Sequence, residues 1–471
     1  MNLARHSITP TDPIHILDVR YDPDCQIFTV STPSGFAVYR TWPLELVRKR
    51  EVKGGTLGLV VPMHASSLLF LVGGGRSPRY PPNKVLLWDD VSGCEVAELE
   101  FRERVRGLAC RRDWLAVALR RRVVLFKVGD QVSRHAEWDT CDNPRGLLAL
   151  STGAYSTLLV IPGRQLGHVQ LIHLPLCTPP TPVGPPPDVP SQRPPPPPTK
   201  HPVSIIAAHT SALTTISVTP SGRLLATTSS KGTLVRTWDA FTGKLVREFR
   251  RGSDKAEIYG VAFRPDEREL CVWSDKGTVH VFSIVGSGAS NRQSTLSGLT
   301  PFIPLPKYFE SEWSYAQYRI PVQSAHITLS SNSAAHTKNS DLADAERCIV
   351  GWVQVSPPSS ETGSEAGSGL VEYQLVVLTF SGGWYRLSLP DSRSSASPTS
   401  ANESSRAMHS ASPPRTPLSP RHRTSSIASS VVAGASTITG SSGKGKEREK
   451  KESTSCVLQE YRKYGRWDGW A

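Results

Sequence analysis

Two arginines stand side by side at the predicted end of a strand, in the sequence Phe249-Arg250-Arg251-Gly252. Neighbouring side chains on a strand point to opposite sides, so each arginine is expected to serve its own site. The planar guanidinium group grips phosphate oxygens through two parallel hydrogen bonds. The pattern therefore predicts two adjacent anion sites, although an isolated Arg-Arg pair more often forms a solvated basic turn.

Polar and basic residues flank both arginines. Hydroxyl groups, backbone amides near glycine and cations are what phosphate oxygens require. The alternative is ordinary turn chemistry, which accounts for Ser230 and Lys276 equally well. Arg236 and His280 each precede the closing aromatic residue of a strand by two positions, which places them equivalently. The candidates are His209, Ser229, Ser230, Lys231, Thr233 and Arg236 around Arg250, and Ser253, Lys255, Ser274, Lys276, Thr278 and His280 around Arg251.

The segments that start at Ala212 and Glu257, on either side of the arginines, follow one plan. Each has an alternating apolar run, a turn with proline, a second strand, a Lys-Gly-Thr turn and a third strand that closes on Trp238 or Phe282. Repeats of short strands at this spacing are typical of WD40-type propeller blades, and several blades must stack to bury their faces. The same pattern recurs along the chain, and we predict an all-β, seven-bladed β-propeller.

Low-complexity segments interrupt the predicted ring. Ser/Pro-rich and basic segments cannot build a core, and loops tolerate such insertions. The fourth blade is expected to finish with PVSIIAAH after the proline-rich run, and the seventh with CVLQEYRKYG. The predicted organisation is blades 1–4 over 1–176, a disordered insertion over 177–201, blades 4–7 over 202–387, a disordered segment over 388–454 and a closing strand over 455–471.

A long connection follows the third strand of the sixth predicted blade, over residues 285–312. Long loops in compact folds are usually functional or disordered. Phe302, Ile303 and Leu305 lie near Lys307, and apolar residues beside a cation suit partial insertion at a bilayer interface. We predict that these three residues enter a membrane, whereas Trp313 and the aromatic residues before it are expected to pack on the propeller edge.

Composition narrows the function further. The formal net charge is +13, which favours acidic partners. Part of this excess lies in the predicted disordered segment, and residues 388–455 contain no Phe, Tyr or Trp for base stacking, so nucleic-acid binding is not expected. The eight cysteines show no zinc-site spacing, which indicates a reducing compartment and no metal. The N-terminus lacks a signal-peptide core, and a cytosolic protein is expected.

No catalytic motif stands out. The Gly73-Gly74-Gly75-Arg76 run is not followed by the residues of a phosphate loop, so a tight connection between strands is expected there. Ser, His and Asp occur in no recognisable catalytic order. The sequence therefore predicts a non-enzymatic protein without a cofactor.

The FRRG motif between two Lys-Gly-Thr repeats resembles the PROPPIN family of polyphosphoinositide-binding propellers. The blocks LVGGGRSPRYPPNKVLLWDD, EFRRGSDKAEIYGVAF and LPKYFESEWSYAQYRIP look like that family's characteristic segments, closest to a fungal-type member of its WIPI-like branch. The resemblance implies two head-group pockets on the propeller rim, with Arg250 in the fifth-blade site and Arg251 in the sixth-blade site. The low-complexity segments lie outside it.

The resemblance also implies the ligands and the place of action. The expected ligands are membranes that contain phosphatidylinositol 3-phosphate or phosphatidylinositol 3,5-bisphosphate. The expected partner is a lipid-transfer protein of autophagy, contacted through early blades, and the expected location is cytoplasmic and peripheral on phagophore, endosomal and vacuolar membranes. We expect that loss of both arginines would leave the fold intact, because strand-end arginines contribute little to a core. A protein-scaffolding propeller that binds acidic peptides is the main alternative.

Overall fold

The computed structural model describes the chain in twelve ranges, and the account below is confined to them. They are 15–63, 66–111, 113–129, 131–153, 156, 158–175, 203–285, 291–292, 311–321, 347–355, 372–390 and 455–465. Within these ranges every regular element is a β-strand. The same ranges contain no helix long and apolar enough to cross a membrane and no cluster of three metal-ligating side chains.

The strands form seven sheets, of which six are antiparallel and four-stranded and one has five strands, the fifth paired in parallel. Blade 1 contains β1 (Asp18–Tyr21), β2 (Ile27–Thr32), β3 (Gly35–Arg40) and β4 (Glu45–Glu51). Blade 2 contains β5 (Leu57–Pro62), β6 (Leu68–Gly73), β7 (Lys84–Asp89) and β8 (Cys94–Glu100). Blade 3 contains β9 (Gly107–Arg111), β10 (Trp114–Ala118), β11 (Arg122–Val128) and β12 (Val132–Asp139).

Blades 4 and 7 take their last strand from beyond a long insertion, and blade 5 has a fifth strand. Blade 4 contains β13 (Ala149–Leu150), β14 (Leu158–Pro162), β15 (His168–His173) and β16 (Ile205–Ala207). Blade 5 contains β17 (Leu213–Val218), β18 (Leu224–Ser229), β19 (Leu234–Asp239), β20 (Leu245–Arg250) and β24 (Glu312–Trp313). Blade 6 contains β21 (Ile258–Phe263), β22 (Glu269–Ser274), β23 (Thr278–Ser283) and β25 (Ala316–Arg319). Blade 7 contains β26 (Cys348–Val355), β27 (Glu372–Thr379), β28 (Gly383–Ser388) and β29 (Val457–Lys463).

The innermost strands contact one another around a closed ring, in the order β1, β5, β9, β13, β17, β21, β26 and back to β1. They line a central cavity of about 660 Å³. This arrangement confirms the predicted seven-bladed propeller. β16 lies within PVSIIAAH and β29 within CVLQEYRKYG, and they are the last strands of blades 4 and 7.

Burial follows strand position within each blade. All five residues of β10 are buried, whereas β12, the outermost strand of the same blade, alternates between exposed and partly buried residues. A middle strand is covered by neighbouring blades on both faces and is therefore continuously apolar, while an outer strand faces solvent on one side. The apolar cores lie between blades, such as the cluster of Phe28, Tyr39, Trp384 and Tyr464 between blades 1 and 7.

The Lys-Gly-Thr turns connect the second and third strands of blades 5 and 6. Gly232 has a φ of +65°, and a Cβ atom there would lie 1.7 Å from the carbonyl oxygen of Ala256. Only glycine is compatible with both this conformation and this approach. The turn therefore places Lys231 and Thr233 beside the end of β20, where the two arginines lie.

The prediction for residues 285–312 differs from the structure at its C-terminal end. Glu312 and Trp313 form β24, which pairs in parallel with Phe249 and Arg250 at the edge of blade 5. Arg292 pairs with Trp313 through two backbone hydrogen bonds. Part of the connection between β23 and β25 is thus an additional edge strand of the preceding blade, and Trp313 packs at the propeller edge as predicted.

Candidate anion-binding sites of blades 5 and 6

Arg250 is the last residue of β20 and lies on the face of blade 5 that is turned toward blade 4. It pairs with Leu234, and two residues earlier Glu248 pairs with Arg236, so these side chains share one face. Trp238 lies on the same face and packs in a core with residues of blade 4. Phe249 points the other way, into the core shared with blade 6. The strand alternation predicted for the motif is therefore present.

His209 and Arg236 lie on this blade-4 side of the sheet. Nε2 of His209 is 3.0 Å from the hydroxyl oxygen of Thr227, which pairs with Arg236 across β18 and β19. Arg236 donates to the carboxylate of Glu248 at 2.9 Å and to the carbonyl oxygen of Ala208 at 2.7 Å. Burial, reinforced by the positive charge of Arg236, lowers the pKa of His209 to about 4. His209 is therefore neutral at pH 7 in the free protein.

Arg251 follows the end of β20 and belongs to the other side of blade 5. Its backbone amide donates to the carbonyl oxygen of Thr233 at 2.9 Å. Its guanidinium group donates to the carbonyl oxygens of Gly232, at 2.8 Å, and Asp254. Burial lowers the pKa of Arg251, with Asp275 and Asp254 acting in the opposite direction. The side chain thus lies between blades 5 and 6.

His280 lies near Arg251 on the face of blade 6 that is turned toward blade 5. Its ring stacks near that of Phe282, which in turn stacks on Phe249 at 4.9 Å between ring centroids. Burial lowers the pKa of His280 to about 4, and the positive charges of Arg251 and Arg292 contribute to this shift. The two histidines therefore have similar surroundings: each is buried and neutral, and each lies beside arginine.

The register confirms the equivalence of Arg236 and His280. Arg236 is the third residue of β19 and His280 is the third residue of β23. Each lies on the side of its blade that faces the preceding blade. The structure thus contains two related basic sites, one between blades 4 and 5 and one between blades 5 and 6, with Arg250 and Arg251 divided between them.

Both arginines are more buried than a basic turn requires. Arg250 is 8% exposed and Arg251 is 7% exposed. We expected strand-end arginines to contribute little to the core, and this burial differs from that expectation. Each guanidinium group replaces water by hydrogen bonds to the protein, because an unpaired buried charge is costly. Substitution of either arginine is therefore expected to affect stability as well as binding.

Two serines and one arginine at these sites were missed by the sequence reasoning. Ser311 Oγ accepts a hydrogen bond from Nε of Arg250 at 3.1 Å, and Ser314 Oγ lies 3.1 Å from Nδ1 of His280. Arg292 donates from Nε to the carbonyl oxygen of Ser314 at 3.0 Å. Their only sequence signal is their place in the long connection of the sixth blade. Their contacts could not be predicted, because the residues that they contact are distant in the sequence.

The other predicted site residues differ in burial and in location. Ser229 and Ser274 are buried at strand ends, while Lys231, Lys276 and Ser253 are exposed and Thr233 and Thr278 are partly exposed. Ser230 and Lys255, assigned to different sites from sequence, instead line one cavity of about 370 Å³ together with Arg145 and Glu257. Phe302, Ile303 and Leu305 lie outside the described residues, so their membrane insertion stays a prediction.

Comparison with known proteins shows the family of this chain. The PROPPIN family model matches residues 199–328, a segment that includes both arginines. SVP1-like protein 2 of Pichia angusta is 32% identical over 72% of this chain and 88% of its own length. Autophagy-related protein 18e of Arabidopsis thaliana is 32% identical over 67% of this chain and 78% of its own length. The chain belongs to the PROPPIN family.

Two solved structures have the same fold. Kluyveromyces lactis Hsv2 with its complete loop 6CD matches with a TM-score of 0.55 at 22% identity, over 80% of this chain and 94% of that one. KlAtg21, solved in complex with the coiled coil of AgAtg16, matches with a TM-score of 0.53 at 18% identity, over 79% and 94% of the two chains. PROPPINs are phosphoinositide-binding propellers of the lipid-binding and scaffolding type rather than enzymes.

Proposed function

We propose that this PROPPIN reads phosphatidylinositol 3-phosphate and phosphatidylinositol 3,5-bisphosphate through two rim sites. The observation that supports it best is the division of Arg250 and Arg251 between opposite faces of blade 5. The buried neutral His209 lies beside Arg236 on the Arg250 side, and the buried neutral His280 lies near Arg251. A single ligand between the arginines would need both guanidinium groups on one side. Two separate head groups fit the observed division.

The blade-5 site combines Arg250, Arg236 and His209, with Ser229, Lys231 and Thr233 at or near its rim. The blade-6 site combines Arg251, His280 and Arg292, with Ser253, Ser274, Lys276 and Thr278 in the surrounding turns. Ser230 and Lys255 are not included, because they line one crevice together. Phosphate oxygens accept hydrogen bonds from guanidinium, hydroxyl and imidazole groups. The histidines are neutral before binding, so each can donate one hydrogen bond without repelling the neighbouring arginines.

Membrane recruitment follows from the combination of sites. A basic residue near an anionic bilayer contributes about 1 kcal/mol, which is too little to hold a protein there. Two pockets and an inserting loop that engage together raise affinity by about two to four orders of magnitude through effective concentration. The protein is proposed to act in autophagy as a reversible reader of phagophore, endosomal or vacuolar membranes and to recruit a lipid-transfer protein there.

Liposome flotation tests the proposal. The native chain is expected to float with vesicles that contain phosphatidylinositol 3-phosphate and to stay in solution with vesicles that lack the phosphate. Arg250→Thr/Arg251→Thr is expected to lose flotation. Because both arginines are buried, the thermal unfolding of the variant is measured in parallel. Arg250→Lys/Arg251→Lys is a second variant, which keeps the positive charges but lacks the planar guanidinium groups.

Arg264→Thr serves as a control outside the sites. This arginine forms ion pairs with Asp266 and Glu269 in blade 6. If folded Arg250→Thr/Arg251→Thr floated as well as the native chain, or if the native chain ignored the phosphate, the lipid assignment would be wrong. A propeller that binds acidic peptides would then be the better functional hypothesis.

A further inference from the structure

Two crevices open at the end of the propeller where the innermost strands begin. One lies between blades 5 and 6, has a volume of about 370 Å³ and is lined by Thr214, Lys255 and Glu257 among others. The other lies between blades 2 and 3, has a volume of about 210 Å³ and is lined by Gly58, Gly73, Arg104 and Arg106 among others.

Strand register shows that the crevices occupy equivalent positions. Arg104 precedes the first residue of β9 by three positions and Arg106 precedes it by one. Lys255 and Glu257 have the same relation to the first residue of β21. The two crevices are therefore equivalent features of the fold. They differ in charge because different side chains occupy the equivalent positions.

The charged side chains in the crevice between blades 5 and 6 balance one another. Arg145 reaches into it from the connection before blade 4 and donates to the carboxylate of Glu257 at 2.6 Å. Lys255 and Arg145 thus face Glu257 and Asp275, so the two positive charges are matched by two negative ones. An additional anion has no excess charge to bind there.

The crevice between blades 2 and 3 carries positive charge without such compensation. No carboxylate lines it, and among the described residues no acidic group forms an ion pair with Arg104 or Arg106. Asp142 lies within electrostatic range of Arg106, but its own hydrogen bond comes from Arg120 at 2.7 Å, which is the main cause that holds the pKa of Asp142 low. Asp142 therefore acts on Arg106 by electrostatic attraction and not through a direct ion pair.

Arg106 also has an unused donor. Its Nε atom is buried and has no hydrogen-bond partner in the part of the chain that the structure describes. A buried guanidinium nitrogen without an acceptor is unfavourable. An anion in the crevice would supply negative charge beside this guanidinium group.

Backbone forms the opposite wall of the crevice. A Cβ atom at Gly73 would lie 1.7 Å from the carbonyl oxygen of Tyr80, and one at Gly58 would lie 2.8 Å from Cα of Gly74. Strands of this blade can approach closely here only because these positions have no side chain. The Gly-Gly-Gly segment thus shapes the crevice wall, a role separate from that of a nucleotide-binding loop.

We propose that the crevice between blades 2 and 3 is a third anion site, which binds a phosphate-type oxyanion through Arg104 and Arg106. Two guanidinium groups match the oxygens of a phosphate group. The volume accommodates a phosphate group and falls below the range of about 300–1,000 Å³ typical of drug-sized ligands. This site lies on blades that contribute nothing to the two rim sites, and the proposal does not rest on them.

Isothermal titration calorimetry with inorganic phosphate tests the site. It is carried out at constant ionic strength and with the Arg250→Thr/Arg251→Thr variant as the background protein. That background removes the rim arginines, so the remaining phosphate binding is expected to come from the crevice. Addition of Arg106→Gln is expected to weaken this binding about tenfold or more, as loss of a charge-assisted contact should. Arg164→Gln, an exposed arginine paired with Asp139, is expected to leave it unchanged.

Absence of phosphate binding in the background protein, or equal binding with and without Arg106→Gln, would overturn the proposal. Arg104→Gln provides a second variant at an exposed position, in case Arg106→Gln does not fold. Vesicles with phosphatidylinositol 3-phosphate distinguish the source of the phosphate. Arg106-dependent vesicle binding would identify a lipid head group, whereas binding of free phosphate alone would identify a soluble phosphorylated ligand.

Discussion

Ser311 accepts a hydrogen bond from Arg250 at 3.1 Å although the two residues are 61 positions apart in the chain. Three residues later, Ser314 contacts His280 of the second site at the same distance. Both serines are nearly inaccessible to solvent. One short segment at the end of the long sixth-blade connection therefore touches both candidate head-group sites and links them to that connection.

Substitution of Ser311 should affect the blade-5 site selectively. Ser311→Ala removes an acceptor that helps to hold the Arg250 guanidinium group, at a cost of about 1 kcal/mol, or about a five-fold loss of affinity. The measurement is vesicle binding in an Arg251→Thr background, where only the blade-5 site remains. Ser34→Ala, an exposed serine of blade 1, is the control. Unchanged affinity in Ser311→Ala would show that Arg250 is held without this contact.

The two buried histidines should make stability depend on pH. Their pKa values are lowered to about 4, against about 6.5 for an unfolded histidine. Between these values the unfolded chain binds protons that the folded chain does not. The histidine contribution is therefore fully present above about pH 6.5 and is lost as the pH falls toward 4, by up to about 1.4 kcal/mol per pH unit for each histidine.

Urea denaturation at several pH values between about 5 and 7 measures this dependence. In His209→Gln/His280→Gln the slope of unfolding free energy against pH should be smaller than in the native chain. The slope is the informative quantity, because the substitutions also change packing. Identical slopes in the two proteins would contradict the assignment of the histidines as buried and neutral.

Glu312 should hold the edge strand β24 in place. One of its carboxylate oxygens accepts from Arg247 at 2.5 Å and the other from the side-chain amide of Asn291 at 2.6 Å. Glu312→Ala removes both contacts, so the amides of Arg292 and Trp313 should exchange with solvent about ten-fold faster. Hydrogen exchange followed by mass spectrometry measures this change.

The matched control for Glu312→Ala is Glu45→Ala. Glu45 pairs with Arg40 at a similar distance, 2.5 Å, but its side chain is 57% exposed. Exposed ion pairs contribute little, so exchange in blade 1 should barely change. Equal protection of Trp313 in native and Glu312→Ala proteins would mean that backbone pairing alone holds β24.

Tyr464 should be essential for closure of the ring. It is 2% exposed and its ring lies edge-on to Phe28 of blade 1 at 5.3 Å. Tyr464→Ala should lower the free energy of unfolding by about 3–5 kcal/mol, as removal of buried aromatic rings does. Tyr461→Ala, at a neighbouring position that is 42% exposed, should have a much smaller effect in the same denaturation experiment. Similar losses in both variants would rule out a special role for Tyr464.

Much of the fold could be predicted because its signals are local. Proline turns, Lys-Gly-Thr turns and alternating strands repeat along the chain, and they locate β16 and β29 even beyond long insertions. The opposite orientation of Arg250 and Arg251 follows from strand geometry alone. β24 could not be predicted, since Glu312 and Trp313 form a two-residue strand that has no periodicity.

The missed site residues have the same physical origin. Ser311, Ser314 and Arg292 reach the sites through tertiary contacts with β20 and β23, and nothing in their immediate sequence distinguishes them from other loop residues. Burial of the two arginines was also missed, because the turn sequence gives no sign that the carbonyl oxygens of Gly232 and Asp254 receive hydrogen bonds from Arg251.

Blade 7 has a consequence for synthesis of the chain. Its strand β28 ends at Ser388, while its partner β29 begins at Val457. On the ribosome, β28 is therefore available before the residues that pair with its outer edge have been made. The contacts of Tyr464 with blade 1 form later still. Until then the nascent propeller has an unpaired strand edge and an open seam, and both are surfaces that favour association with other chains.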